Sequence, residues 1–334
     1  MSLTRLKHIL ARQCDPHGFR KQTKMECFIS AENVKSVLTY DRLISAMEKA
    51  FKKLQEKQVL QPVRIVLPVA SENGFFGLMP AMCEAEEVMG TKLVTWYPQN
   101  TGRHGVPTHH AIIVLFNKNT GIPKAIMDGE VITAMRTAAC SAVATKFLAP
   151  PSACKLAILG AGVQARSHYH ALITVIPFTQ VTVWSRSFAS AELCASELGA
   201  MACQSVEEAV READVIVTVT ASTTPVLRLE WVKPNAHING VGACRPDWSE
   251  IDTELMRAAV VYVDSREGAL AESGDVILSK AEVYAELGEV VTGVKEAKRD
   301  QLTVFKSLGM AIEDVMAGEL VLEQLASHSQ PATN

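Results

Sequence analysis

The sequence predicts an α/β protein built from a Rossmann-type doubly wound parallel sheet and a separate α+β domain. Three observations lead there. Residues 155–166, KLAILGAGVQAR, carry a short apolar run that stops at Gly160-x-Gly162-x-x-Ala165 and re-emerges as a helix, the form of a dinucleotide-binding turn. Beyond it, apolar strands alternate with helical segments to about residue 263, and such alternation builds a parallel sheet with helices on its faces. Before it, between residues 63 and 127, short apolar runs are separated by Gly, Asn and Pro, the pattern of a mostly antiparallel sheet.

Composition narrows the function classes. A chain of 334 residues has room for two domains, and 48% hydrophobic with 21% charged residues is the balance of a globular protein, not a disordered one. The formal charge of −3 supplies no basic field for nucleic acid, and no uninterrupted apolar run reaches membrane-spanning length. Neither partner is expected. Eight cysteines, at positions 14, 27, 83, 140, 154, 194, 203 and 244, form no CxxC pair and no metal-ligand spacing. They read as small core residues in a reducing compartment, and no metal is expected. In residues 1–24, Arg5, Lys7, Arg12, Arg20, Lys21 and Lys24 face the single acid Asp15, with Leu3, Leu6, Ile9 and Leu10 on one helical face. This reads as a basic extension of a cytoplasmic protein, in a form also compatible with an organelle transit peptide.

Downstream, Leu43, Ile44, Met47, Phe51 and Leu54 recur at helical spacing over residues 41–55. Strands are expected at 63–68, 75–79, 92–97, 111–116 and 123–127, then an alanine-rich helix at 131–148 that Pro150 and Pro151 end. The prolines set the expected boundary: residues 25–150 with 304–334 in one domain, 151–303 in the other. In the second, strands are expected from 155 and at 181–184, 215–220 and 236–241, with a helix at 206–211. A last helix at 306–325, carrying Leu308, Ile312, Val315, Met316, Leu320 and Leu322, is expected to return to the first domain.

Within the turn, Gly160 permits the tight bend, Gly162 lets backbone amides approach a pyrophosphate, and Ala165 lets the helix pack closely on its strand. The next strand ends at Trp184, 22 residues beyond Gly162, where an NAD site would place an acid on the ribose hydroxyls. Here the residues are Ser185, Arg186 and Ser187. A guanidinium flanked by hydroxyls accepts a 2′-phosphate through charge-assisted hydrogen bonds, whereas a carboxylate would repel it. The predicted cofactor is NADPH. Ligands of such sheets lie at the carboxyl ends of the strands, so substrate is expected in the cleft between the domains.

The first domain must then supply substrate groups, and its cations in apolar or small-residue surroundings are the candidates. These are Arg64 in QPVRIV, Lys92 at the head of KLV, and Arg136 within TAMRTAA. Three cations imply an anionic substrate, since an arginine grips a carboxylate bidentately and so orients the neighbouring carbon. His109, after Thr108, offers an imidazole that can bind a carboxamide or relay a proton near neutral pH. Cys244 lies in the segment that follows the 236–241 strand. It reads as a small lining residue, because hydride transfer needs no nucleophile.

The stretches MDGEVITAMRTAACSAVATKFLAPP, ILGAGVQARSHY, VGACRPDW and TVFKSLGMAIED are similar to those of the ornithine cyclodeaminase/mu-crystallin family, a resemblance that covers about residues 28–325. It implies a homodimer whose first domain combines substrate binding with dimerisation and whose second is the NADP-binding Rossmann unit. It places Arg64, Lys92 and Arg136 around the substrate carboxylate and reacting carbon, with Arg245 near the ligand. Cofactor positions are Thr108, His109, Thr137, Gly160, Gly162, Val163, Gln164, Ser185, Arg186, Ser187, Thr218, Thr220, Ala221 and Cys244, and the segment with Phe305 and Ser307 would close over the nicotinamide.

Cyclodeaminases of the family carry acids at the positions of Gly77 and Cys244. Without those proton acceptors, oxidation and deamination of a free diamino acid is disfavoured, whereas reduction of a preformed cyclic C=N needs none. The expected activity is NADPH-dependent reduction of cyclic ketimines: piperideine-2-carboxylate, pyrroline-2-carboxylate or sulfur-containing rings. The proton donor is either His109 or water. The alternatives are an NADPH-regulated thyroid-hormone-binding protein or crystallin and, further back, an ornithine cyclodeaminase or an alanine dehydrogenase.

Overall fold

The computed structural model describes residues 28–328, so the basic extension, Cys14 and Cys27 lie outside the described residues. The chain forms two compact units. The first joins the described residues up to Thr39 with Val59–Thr133 and the described residues from Ala311; the second joins Tyr40–Gln58 with Ala134–Met310.

The first unit is a sheet of β1 (Phe28–Ile29), β2 (Val59–Leu60), β3 (Ile65–Val69), β4 (Gly74–Cys83), β5 (Val88–Trp96), β6 (His109–Phe116) and β7 (Pro123–Asp128). Its order is β1-β7-β6-β5-β4-β2, with β3 also on β4. Only β1 and β7 run parallel. Asn73 and Glu87, both in the left-handed region, close the β3–β4 and β4–β5 connections. Residues along β4 and β5 alternate in burial, and the helix Ala311–Ser327 covers β4, β5 and β6. That alternation is what a sheet with one covered face requires.

The second unit is an all-parallel sheet of β8 (Lys155–Leu159), β9 (Gln180–Trp184), β10 (Met201–Ala202), β11 (Val215–Thr218), β12 (His237–Gly240), β13 (Val260–Val263), β14 (Val283–Glu286) and β15 (Thr303–Lys306). The order is β10-β9-β8-β11-β12-β15-β13-β14. From β8 the chain builds one way through β9 and β10, then resumes on the other side with β11, so a topological switch point lies between β8 and β11. Every residue of β11, β12 and β15 is buried, the signature of strands covered on both faces.

Two expectations need correction. Residues 303–306 are a strand inserted between β12 and β13, and the last helix begins only at Ala311. The run TVFK is β-branched and aromatic, and Gly309 at φ +83° prevents a helix from starting earlier. The expected domain boundary also differs, because residues 40–58, 134–150 and 304–310 fall in the second unit. Phe51 of the helix Tyr40–Gln55 meets Phe305 edge to face, with centroids 6.3 Å apart and both rings fully buried. Thr145 of the helix Glu130–Leu148 accepts a hydrogen bond from Asn239 Nδ2 at 2.9 Å. Pro150 and Pro151 thus end a helix rather than a unit. That helix is long and apolar enough by composition to cross a membrane, yet most of it is buried in the protein, so its hydropathy answers to core packing.

Two histidines are buried in the second unit. His168 donates from Nδ1 to the Gln164 carbonyl at 2.8 Å, which leaves Nε2 to accept from the Ser141 hydroxyl at 3.0 Å. His237 Nδ1 lies 2.9 Å from Thr303 Oγ1. Burial lowers their pKa values to about 4 and about 3 from an ordinary 6.5. The unfolded chain therefore binds protons first as pH falls. The stability these groups contribute is complete above pH 6.5 and is lost as pH drops toward the folded values, by roughly 2 kcal/mol per histidine at pH 5. Urea midpoints measured at pH 7.5 and pH 5 should show that decline, and His168→Gln should reduce it by roughly 2 kcal/mol. An identical decline in the variant would contradict a neutral buried His168.

Candidate active site

Because the second sheet is all parallel, the segments leaving β8, β9, β11, β12 and β15 emerge on one edge. Gly160 follows β8 at φ +128°, and a Cβ there would lie 2.7 Å from the Val219 carbonyl oxygen. Only glycine fits this approach. Its N–H donates to the Trp184 carbonyl at 2.8 Å, which ties the turn to the end of β9. Gly162 precedes the helix Val163–Leu172 without a side-chain cap, and the space where its Cβ would stand is open to 4 Å. Ala165 is fully buried and Val163 is 69% exposed. The buried atoms Gln164 Oε1 and Ser307 Oγ have no hydrogen-bond partner. An open cradle, uncapped helix amides and orphaned polar atoms fit a dinucleotide pyrophosphate and its neighbours.

After β9, Ser185 is half-buried and Arg186 exposed. Ser187 accepts from the Ser190 N–H at 3.4 Å and caps the helix Phe188–Leu198. Thr218 and Thr220 turn their hydroxyls to Glu250 at 3.0 and 2.5 Å, while Ala221 is exposed. Cys244 is also exposed, whereas Cys83, Cys140, Cys194 and Cys203 are buried. Arg245 holds its guanidinium 5.5 Å from the Trp248 ring centroid. Thr137 and Arg136 are buried, and a Cβ on Gly309 would lie 2.4 Å from Arg136 Nη1. Phe305 departs from expectation: its ring is wholly enclosed against Phe51. It is a core residue, and within that segment Ser307 is the group whose buried hydroxyl has no hydrogen-bond partner.

In the first unit, Lys92 on β5 pairs with Asp314 of the helix Ala311–Ser327 at 2.6 Å, both side chains buried. The ammonium is therefore charge-compensated, and it offers hydrogen bonds more than net positive potential. Arg64 lies one residue before β3, where Ile65 faces Leu78, and Lys92 faces Met79. The two cations thus occupy neighbouring register positions on either side of β4. Half-buried His109 faces Trp96 across β5 and β6, and the preceding Thr108 carbonyl accepts from the Tyr97 N–H at 2.7 Å. The adjacent His110 meets a carboxylate, Glu130, at 2.7 Å. A Cβ at Gly77 would stand 3.0 Å from Val94 Cγ1, so a side chain there would require that methyl to shift by a few tenths of an ångström.

Sequence reasoning missed three residues. Arg166 donates to the Ala161 and Gly162 carbonyls at 2.8 and 3.2 Å and is itself held by Glu197 at 2.5 Å. Its signal was a basic residue four positions after Gly162, one helical turn on. Asp314 was marked by acids inside the apolar run GMAIEDVM. Glu250 had no local signal, because its partners are distant in sequence.

The family model of the ornithine cyclodeaminase/mu-crystallin family matches residues 24–329. The chain is 53% identical over 306 residues to the ketimine reductase mu-crystallin of Rattus norvegicus, covering 90% of this chain and 97% of the relative. Among solved structures, the Delta(1)-pyrroline-2-carboxylate reductase of Thermococcus litoralis, in complex with NADH and L-proline, superposes with a TM-score of 0.86. It is 35% identical, with 90% of this chain and 98% of that one covered. An archaeal alanine dehydrogenase dimer with bound NAD gives a TM-score of 0.85 at 31% identity, with 91% and 97% covered. With the glycine turn, the parallel sheet and these likenesses in agreement, the chain belongs to the ornithine cyclodeaminase/mu-crystallin family.

Proposed function

We propose that the chain is an NADPH-dependent reductase of cyclic ketimines, acting on pyrroline-2-carboxylate, piperideine-2-carboxylate and related rings. The observation that carries this reading is a buried guanidinium, Arg136, in the same compact unit as a complete dinucleotide turn. When bound, NADPH supplies hydride to the imine carbon. The amides at the start of the helix Val163–Leu172 hold the pyrophosphate, and Arg186 with Ser185 binds the 2′-phosphate. Arg136 and Arg64 bind the substrate carboxylate, Lys92 donates hydrogen bonds, and His109 or water delivers the proton to the imine nitrogen. Positions 77 and 244 lack the carboxylates that deamination would use, which favours reduction. The named relatives act on ketimine and pyrroline-2-carboxylate substrates. The solved neighbours hold NADH and NAD, so the preference for the phosphorylated cofactor rests on Arg186.

This chain is also proposed to work as a homodimer. β3 is an edge strand whose Ile65, Val66 and Leu67 are each about half exposed. An apolar edge strand open on both faces is a pairing surface that a lone protomer would not leave bare.

A steady-state panel of cyclic ketimines should show NADPH oxidation with the five- and six-membered rings. No turnover with either would remove the reductase reading. Arg186→Asp should raise the KM for NADPH by roughly ten- to a hundredfold while affecting NADH much less, the value of one charge-assisted phosphate contact. Equal loss for both cofactors would refute the phosphate role. In light scattering after size exclusion, the wild type should run as a dimer and Leu67→Glu as a folded monomer; a dimeric variant would place the interface elsewhere.

A further inference from the structure

Behind the carboxyl edge of the second sheet, Glu250, Asp275 and Lys306 form a group of buried ionisable side chains, none of them part of the dinucleotide turn; Asp264, also buried there, accepts from the Leu308 and Gly309 N–H groups at 2.6 and 2.7 Å. Glu250 Oε1 accepts from the Thr220 N–H at 2.6 Å and from its hydroxyl at 2.5 Å. Oε2 accepts from the Thr218 hydroxyl at 3.0 Å and from the Gly242 N–H at 2.6 Å. One carboxylate thus ties the segment leaving β11 to the segment leaving β12. It also occupies the place of a side chain at Gly242, where a Cβ would lie 2.4 Å from Glu250 Oε2 and 2.1 Å from the Thr220 carbonyl oxygen.

Glu250 is in turn held from behind. Asp275 Oδ1 accepts from the Glu250 N–H and the Ser249 hydroxyl, each at 2.8 Å, and from the Ile251 N–H at 3.1 Å. Asp275 Oδ2 faces Lys306 Nζ, at the end of β15, at 3.0 Å. Burial raises the Glu250 pKa above the ordinary carboxylate value and the Asp275 charge adds to the rise, while Lys306 and the Thr220 donors oppose it. Four donors directed at two oxygens suit the anion. Two carboxylates against one ammonium leave the cluster with a single net negative charge. Burying such charge is expensive, and apolar residues of similar volume would fill the space without desolvation. Packing alone does not account for it.

We propose that Glu250 is the positioning residue of the β11 and β12 carboxyl-edge segments, and that the net negative charge of its cluster favours the oxidised, cationic nicotinamide over the neutral reduced ring. This rests on the cofactor reading above. Loss of hydride, two electrons with one proton, makes the ring one unit more positive as the imine carbon is reduced. A fixed anion behind the segments that border the cofactor lowers the energy of that charge as it develops.

The test uses calorimetric titration of the full chain with NADPH and, separately, with NADP+, without imine. Glu250→Gln and Asp275→Asn each remove one negative charge with little change of shape. Each should raise the ratio of the NADP+ Kd to the NADPH Kd by roughly threefold or more with the circular dichroism spectrum retained. Thr220→Val removes a contact but no charge, and should weaken both forms alike. Should Glu250→Gln not fold, Asp275→Asn carries the test. An unchanged ratio in the folded charge variants, or an equal change of ratio in Thr220→Val, overturns this inference while leaving the cofactor reading intact. Failure of the wild type to bind either nucleotide overturns both.

Discussion

The close approach of Gly160 to the Val219 carbonyl is the constraint from which the second unit's site is built. It occurs where β8 and β11 part, the place at which an open parallel sheet leaves a crevice. The Gly160 N–H reaches the Trp184 carbonyl, so the segment with Ser185 and Arg186 starts from a point fixed by the same turn. Arg166 braces the turn's carbonyls from the helix side, and its own partner Glu197 stands on the helix that Ser187 caps. The glycine turn and the segment with the proposed phosphate-selecting Arg186 therefore share one frame, and neither can shift alone.

Both units bury charge near residues with expected roles. Lys92 with Asp314 in the first, and Lys306 with Asp275 and Glu250 in the second, are enclosed almost completely. Ion pairs of this kind seldom add net stability, and breaking one leaves an uncompensated charge that costs about 3–5 kcal/mol. What they add is fixed orientation: an ammonium whose direction is set by its carboxylate, and loops held by an anion rather than by packing alone. Compensation also alters the sequence-based picture of three cations, since the Lys92 ammonium already faces Asp314 at 2.6 Å.

Much of this was legible in the sequence, for identifiable reasons. The glycine turn, the alternating elements after residue 155 and the helix at Tyr40–Gln55 carry strong local periodicity or need a residue type that few others can replace. The strand Thr303–Lys306 was missed, and the last helix begun at residue 306, because four residues before an apolar helix have no period of their own. Phe305 was misplaced with it. The unit boundary was set at Pro150 because prolines end helices visibly, whereas the contacts that draw Tyr40–Gln58 and the body of the helix Glu130–Leu148 into the second unit join residues far apart in sequence. Glu250 was illegible for the same reason: its partners at 218, 220 and 242 converge only in three dimensions.

The bare apolar face of β3 has a consequence beyond assembly. Arg64 immediately precedes Ile65, so on the proposed reading the backbone that carries a substrate-binding cation is ordered by whatever covers that strand. Where a second copy is the cover, mass action couples protein abundance to the order of that segment. Specific activity then becomes a function of concentration, and a tissue or culture that makes little of the chain has less than its proportionate share of catalysis.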